Sequence, residues 1–253
     1  MNSKIKTNQE SEESKRLAVL IDADNAQADA FEYLLQEIAK YGDATVKRIY
    51  GDFTSTQNRK WKAVLNQYAI KPVQQFAYTK GKNATDSSMI IDAMDLLYTQ
   101  RFDGFCIVSS DSDFTGLAMR IREQGLSVYG CGRETTPESF KQACHRFIET
   151  EILLPKDDKA EKLPSKNIKP QRPIPKLPIK LLNRAIEESS DDNGWAHLSS
   201  FGRYINKIQT DFDSRKYGYK KLGDLVKDRK DLFEIEIREG LSGGGANIYV
   251  RAK

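Results

Sequence analysis

Five aspartates stand where short apolar runs give way to helical patterns. Leu17 to Ile21 is followed by Asp22 and Asp24, with Asn25 just beyond. Phe105 to Val108 is followed by Ser109, Ser110, Asp111 and Asp113. Asp86 opens a pattern of Met89, Ile90, Ala93, Met94 and Leu97 at helical spacing. Acids gathered at strand ends need a compensating charge, and a divalent cation that prefers oxygen ligands, Mg²⁺ or Mn²⁺, suits them best. Such an ion activates water and stabilises charge developing on a phosphate, so the leading chemistry is phosphodiester hydrolysis. Helix capping is the competing account, because an aspartate at a helix start is stabilising without any ligand. Capping explains one acid and not five.

Positioning these groups requires a parallel sheet. The apolar runs are too short for helices and fit strands buried on both faces. Leu17 to Ile21, Ala44 to Tyr50, Lys71 to Tyr78, Phe105 to Val108 and Leu126 to Tyr129 read as five strands. Helical spacing appears between them: Gln27 to Lys40, Gln57 to Tyr68, the segment opened by Asp86, and Phe114 to Ile121. The alternation predicts an α/β fold with a doubly wound parallel sheet. In such a sheet the first and fourth strands are neighbours at the switch point, where ligands bind.

The chain has 253 residues, enough for a medium domain and a small one. Residues 1–15 lack an apolar core and read as a disordered tail, neither signal peptide nor anchor. Residues 16–152 form the α/β domain, and residues 153–178 read as a linker: six of the eight prolines lie between Pro155 and Pro178, interleaved with lysines. A linker of this kind predicts two folded parts held apart. Residues 179–253 have another rhythm, three short helical patterns and then alternating strands around SGGGA, which predicts a winged helix-turn-helix. Net charge is +4 overall, yet residues 1–152 carry 19 lysines and arginines against 21 acids, so the positive excess is C-terminal and suits a polyanion. Three isolated cysteines indicate neither a disulfide framework nor a zinc site and point to a reducing cytoplasm; no run reaches membrane length. His145 and His197 read as structural or exposed, and Trp61 and Trp195 as core.

VLIDADN, TDSSMIIDAMDLL and IVSSDSDFTGLAMRIREQGLSVYGCG resemble the three signature segments of NYN domains, PIN-like relatives of ribonucleases that include the bacterial LabA/DUF88 proteins. The resemblance implies a PIN-like sheet and a Mg²⁺- or Mn²⁺-dependent ribonuclease, endonuclease more than exonuclease. It puts Asp22, Asp86, Asp111 and Asp113 on metal-ligand and catalytic positions, with Asp24 and Asp92 ranked second. Asn25 falls on a polar companion position; Ser109, Lys80 and Lys82 join it as substrate-binding candidates. FDSRKYGYKKLGDLVKD, with HLSSFGRYI before it, is similar to the LOTUS (OST-HTH) domain, which implies RNA, single-stranded or structured, or a protein partner. Arg215, Lys216, Lys220 and Lys221, expected together on one helix with Tyr217 and Tyr219, would supply phosphate contacts and base stacking. Two other functions compete. One is a non-catalytic RNA-binding adaptor. The other is a phosphatase of the haloacid dehalogenase type, suggested by Asp22-Ala23-Asp24 after a strand and disfavoured by Ala26 and by the lack of a cap insertion.

Overall fold

The structure, a computed structural model, describes residues 14–76, 84–154, 174–238 and 247–253. In the N-terminal domain the elements run β1 (Arg16–Asp22), α1 (Phe31–Ile38), β2 (Asp43–Gly51), α2 (Trp61–Gln67), β3 (Lys71–Gln74), α3 (Ala84–Tyr98), β4 (Gly104–Val108), α4 (Thr115–Glu123), β5 (Ser127–Gly132), α5 (Glu138–Ala143), β6 (Arg146–Glu149) and the single turn α6 (Thr150–Leu153). The C-terminal domain comprises α7 (Ile179–Glu187), β7 (Ala196–His197), α8 (Leu198–Ile208), α9 (Leu222–Asp228), β8 (Phe233–Arg238) and β9 (Asn247–Ala252).

The first sheet is parallel with the order β3-β2-β1-β4-β5-β6, so β1 and β4 are paired at its centre. Leu17, Ala18, Val19, Leu20 and Ile21 have no exposed surface, which is why β1 is apolar without alternation. One layer, with Met89, Ala93, Phe114 and Phe140, packs on one face of the sheet; Phe31, Leu34, Ile38 and Trp61 pack on the other. The sequence reading lacked β6. Its four residues, Arg-Phe-Ile-Glu, carry charge at both ends and too little apolar length to stand out. The third strand ends at Gln74, with Gln75 and Phe76 already outside it, and the expected end at Tyr78 falls outside the described residues. Before α1, residues Ala28–Ala30 form a 3₁₀ turn where a continuous helix was expected.

In the C-terminal domain, α7, α8 and α9 surround Leu182, Phe201, Ile205, Leu225 and Phe233, and the antiparallel sheet β7-β9-β8 closes the core. The two domains are in contact, contrary to the separation that the proline-rich linker suggested. The backbone N–H of Phe147 on the edge strand β6 donates to the carbonyl of Thr210 at 2.9 Å, and the Thr210 hydroxyl donates to the carbonyl of Lys141 at 2.8 Å. An exposed strand edge is a liability, and here the segment between α8 and α9 covers it. Charges do the rest. Arg215 places two nitrogens on the Glu37 carboxylate at 2.9 and 3.0 Å. Lys216 bridges Glu149 at 2.8 Å and Asp211 at 3.1 Å, with Lys141 3.3 Å from the same Glu149 oxygen. Arg146 reaches Asn206 and Asp213. Burial works against charged Glu37, Asp211 and Asp213, but hydrogen bonds and charge from Arg215 and Lys40, from Lys216, and from Arg215 respectively outweigh it and hold all three below their ordinary values.

Candidate metal centre

The acids gather at the carboxyl ends of β1 and β4, around the start of α3. Asp86, in the first turn of α3, and Asp111 and Asp113, just past β4, can each offer one oxygen so that all three lie within 4.8 Å of one another. Asp111 also caps the 3₁₀ turn Ser112–Phe114, its Oδ1 accepting from the Asp113 N–H at 2.9 Å. Capping and clustering are thus both present, one oxygen of Asp111 serving the backbone.

Asp22, the last residue of β1, is fully buried. Its Oδ2 accepts from the Ser109 hydroxyl at 2.7 Å and from Asn25 Nδ2 at 2.9 Å, and its Oδ1 accepts from the Asp24 N–H at 3.1 Å. Ser109 in turn accepts from the Asp111 N–H at 3.1 Å. A chain of bonds therefore runs from Asn25 through Asp22 and Ser109 to Asp111, tying the end of β1 to the end of β4. Ser109 and Asn25, expected as substrate-binding residues, both donate to the Asp22 carboxylate. Gly132 at the end of β5 makes room for this arrangement: a Cβ there would sit 2.4 Å from the Ser109 carbonyl oxygen.

Electrostatics mark the cluster. Burial, then the charges of Asp22, Asp111, Asp113 and Asp24, push the Asp86 carboxyl up to about 6. Burial also raises Asp22, against the hydrogen bonds from Ser109, Asn25 and Asp24. A cation is what would relieve this crowding, and an all-carboxylate donor set fits a hard one such as Mg²⁺ or Mn²⁺.

The second-ranked acids have other partners. Asp24 accepts from Asn58 Nδ2 at 3.0 Å. Asp92 does not join the cluster: on α3 it is bound by Arg48 and by the Tyr50 hydroxyl and lines a groove of about 590 Å³ with Arg48, Lys71, Gln75, Ser87 and Ser88. Its partners come from β2, more than 40 residues away, and no local pattern announces them. Lys80 and Lys82 fall outside the described residues.

The model of the NYN domain matches residues 16–153, more than half of the chain. This chain belongs to the NYN domain family. Its sheet is accordingly PIN-like, and NYN domains are nuclease-type domains. An OST-HTH/LOTUS domain, of an RNA-associated family, matches residues 171–241. An uncharacterised protein of Methanocaldococcus jannaschii is 26% identical over 129 residues, 47% of this chain and 48% of that protein, so the NYN chain spans about half the length of this curated relative. A solution NMR structure of an uncharacterised Nitrosomonas europaea protein is 49% identical over 37% of this chain and 90% of its own, with a TM-score of 0.31. A crystal structure of a Vibrio parahaemolyticus protein of unknown function is 17% identical over 54% of this chain and 93% of its own, with a TM-score of 0.46.

In the LOTUS domain the expected basic helix is broken into parts. Arg215 and Lys216 lie in the 3₁₀ turn Ser214–Tyr217, Gly218 takes a left-handed conformation with φ of 88°, and Lys221 is the N-cap of α9. Arg215 pairs with Glu37 of the NYN domain and with Asp213, and Lys216 with Glu149 of the NYN domain and with Asp211. Tyr217 stacks on Phe212, with ring centres 5.7 Å apart, and the Tyr219 hydroxyl donates to Asp228 at 2.8 Å. Lys220 and Lys221 remain exposed. Among the described residues no helix is long and apolar enough to cross a membrane.

Proposed function

We propose that this chain is a Mg²⁺- or Mn²⁺-dependent ribonuclease that cuts within RNA chains, with the LOTUS domain holding the substrate. The observation that carries the reading is the convergence of Asp86, Asp111 and Asp113 within 4.8 Å in an NYN domain. These three residues would hold the ion, and Asp22, fixed by Ser109 and Asn25, adds charge to the group. A bound dication would supply an activated water and stabilise charge on the phosphate. Burial and the neighbouring carboxylates push Asp86 up to about 6, and a cation held beside it would favour its ionised form. Lys220 and Lys221 are the phosphate-contact residues assigned to the LOTUS domain. Three buried, free thiols suit a reducing cytoplasm. The experiment is a cleavage assay on single-stranded and folded RNAs with Mn²⁺ and with chelator, run beside a small phosphomonoester. RNA cut only with Mn²⁺ supports the reading; hydrolysis of the monoester alone would give the site to a phosphatase, and binding without any hydrolysis would leave an adaptor.

A further inference from the structure

The outer face of the β7-β9-β8 sheet carries rings and guanidinium groups where a solvent-facing sheet needs neither. Strand alternation sorts the residues. Ala196, Phe233 and Val250 are buried in the core, and the paired residues His197 and Tyr249, Glu236 and Tyr249, Glu234 and Arg251 take the opposite face. Trp195, expected in the core, is instead half-buried, just before β7. The Arg238 guanidinium lies 4.1 Å from the centre of the Tyr249 ring and 5.8 Å from that of Trp195, and the Arg251 guanidinium lies 4.7 Å from Trp195. His197 meets Tyr249 edge-on, with ring centres 5.3 Å apart. Glu236 takes two nitrogens of Arg238 at 3.0 Å each, and Glu234 likewise takes two of Arg251. Each guanidinium is thus held by a carboxylate while its carbon sits over a ring. The result is a contiguous set of flat groups on one sheet face, three rings and two guanidinium planes.

We propose that this face is a base-stacking platform for unpaired RNA, with Trp195, Tyr249, Arg238 and Arg251 as the contact residues. Unpaired bases stack on aromatic and guanidinium planes, and an open sheet face displaying rings is a geometry that holds two or three of them. The pairing of each arginine with a glutamate leaves the platform close to neutral, so its contribution comes from stacking and not from phosphate attraction. That separates it from Lys220 and Lys221, whose contribution is ionic. The proposal rests on the reading of the chain as an RNA-acting protein, but it concerns binding and needs no cleavage.

The test uses the full chain in chelator, titrated with a short unstructured RNA and with the same sequence as a duplex. Of the two tryptophans, Trp61 is only 2% exposed, so a change in emission reports Trp195. The single strand is expected to quench the emission and the duplex is not. With labelled RNA and polarisation as the readout, Trp195→Leu and Tyr249→Leu are each expected to weaken binding about tenfold, equally at low and high salt. Both variants keep apolar bulk and change different positions, so a folding defect in one does not decide the matter. Wild-type affinity in Tyr249→Leu, or equal quenching by duplex and single strand, would overturn the platform. A chain that binds and quenches but never cleaves would overturn the nuclease reading and leave the platform standing.

Discussion

At single residues, carboxylates crowded by one another set the behaviour of the cluster. Asp86 has a folded-state value raised from 3.8 to about 6, so its charge opposes folding above that range and the cost disappears as pH falls below the unfolded value. Asp86→Asn is therefore expected to raise the metal-free Tm at neutral pH by about 2–4 °C, roughly 1 kcal/mol once exposure of the carboxyl is allowed for, and to have no effect near pH 3. Added Mn²⁺ should raise the Tm of the wild type and leave the variant unmoved; thermal melts in chelator and in Mn²⁺ measure both. Gly132→Ala drives a Cβ into the Ser109 carbonyl, so it should cost about 1–3 kcal/mol in denaturant melts and lower cleavage through displaced Asp22 and Asp111. Wild-type stability in that variant would show that the end of β5 does not set Ser109. The acids were legible in the sequence because strand ends and residue type announce them locally. The fate of Asp92 was not, since Arg48 and Tyr50 reach it across the fold, and neither was that of Trp195, whose arginine neighbours come from β8 and β9.

At the scale of elements, the edge strand β6 and the segment between α8 and α9 form the joint between domains. The central strands were readable because each is an unbroken apolar run, whereas β6 gains its burial from α5 and from the other domain, which a local pattern does not contain. The joint holds a bidentate Arg215–Glu37 pair and a Lys141–Glu149–Lys216–Asp211 network. Removing one member of a buried pair strands its partner. Arg215→Ala is expected to weaken docking by about 3–5 kcal/mol and to enlarge the radius of gyration measured by X-ray scattering. In a double-mutant cycle, Glu37→Gln should cost less in the Arg215→Ala background than alone, because the stranded carboxylate is then gone. Additive costs would deny the pairing. Acid should act in the same direction. Glu37, Asp211 and Asp213 titrate below their ordinary values of 4.5, 3.8 and 3.8, so their contribution is intact above about pH 4.5 and is lost as pH falls through the folded values.

At the scale of the whole molecule, a net-negative NYN domain carries the candidate metal centre and the positive excess lies C-terminal to it. The proline-rich composition of residues 155–178 pointed to domains held apart, yet charge placed on the folded surfaces brings them together. Composition describes a connection and not the surfaces it joins. Replacing Lys220 and Lys221 by alanine is expected to weaken RNA binding at low salt and to reduce the dependence of log affinity on log salt by about 1.4, from roughly 0.7 per lost phosphate contact. An unchanged slope would remove both lysines from the backbone path. Whether the three-carboxylate cluster cuts RNA with a divalent ion is decided by cleavage of an end-labelled RNA by the full chain and by Asp111→Asn, each in Mn²⁺ and in chelator. Internal cuts are expected from the wild type in Mn²⁺ alone, with cleavage by Asp111→Asn lowered at least about a hundredfold. Equal cleavage by the variant, or cleavage that persists in chelator, would contradict that role of the cluster.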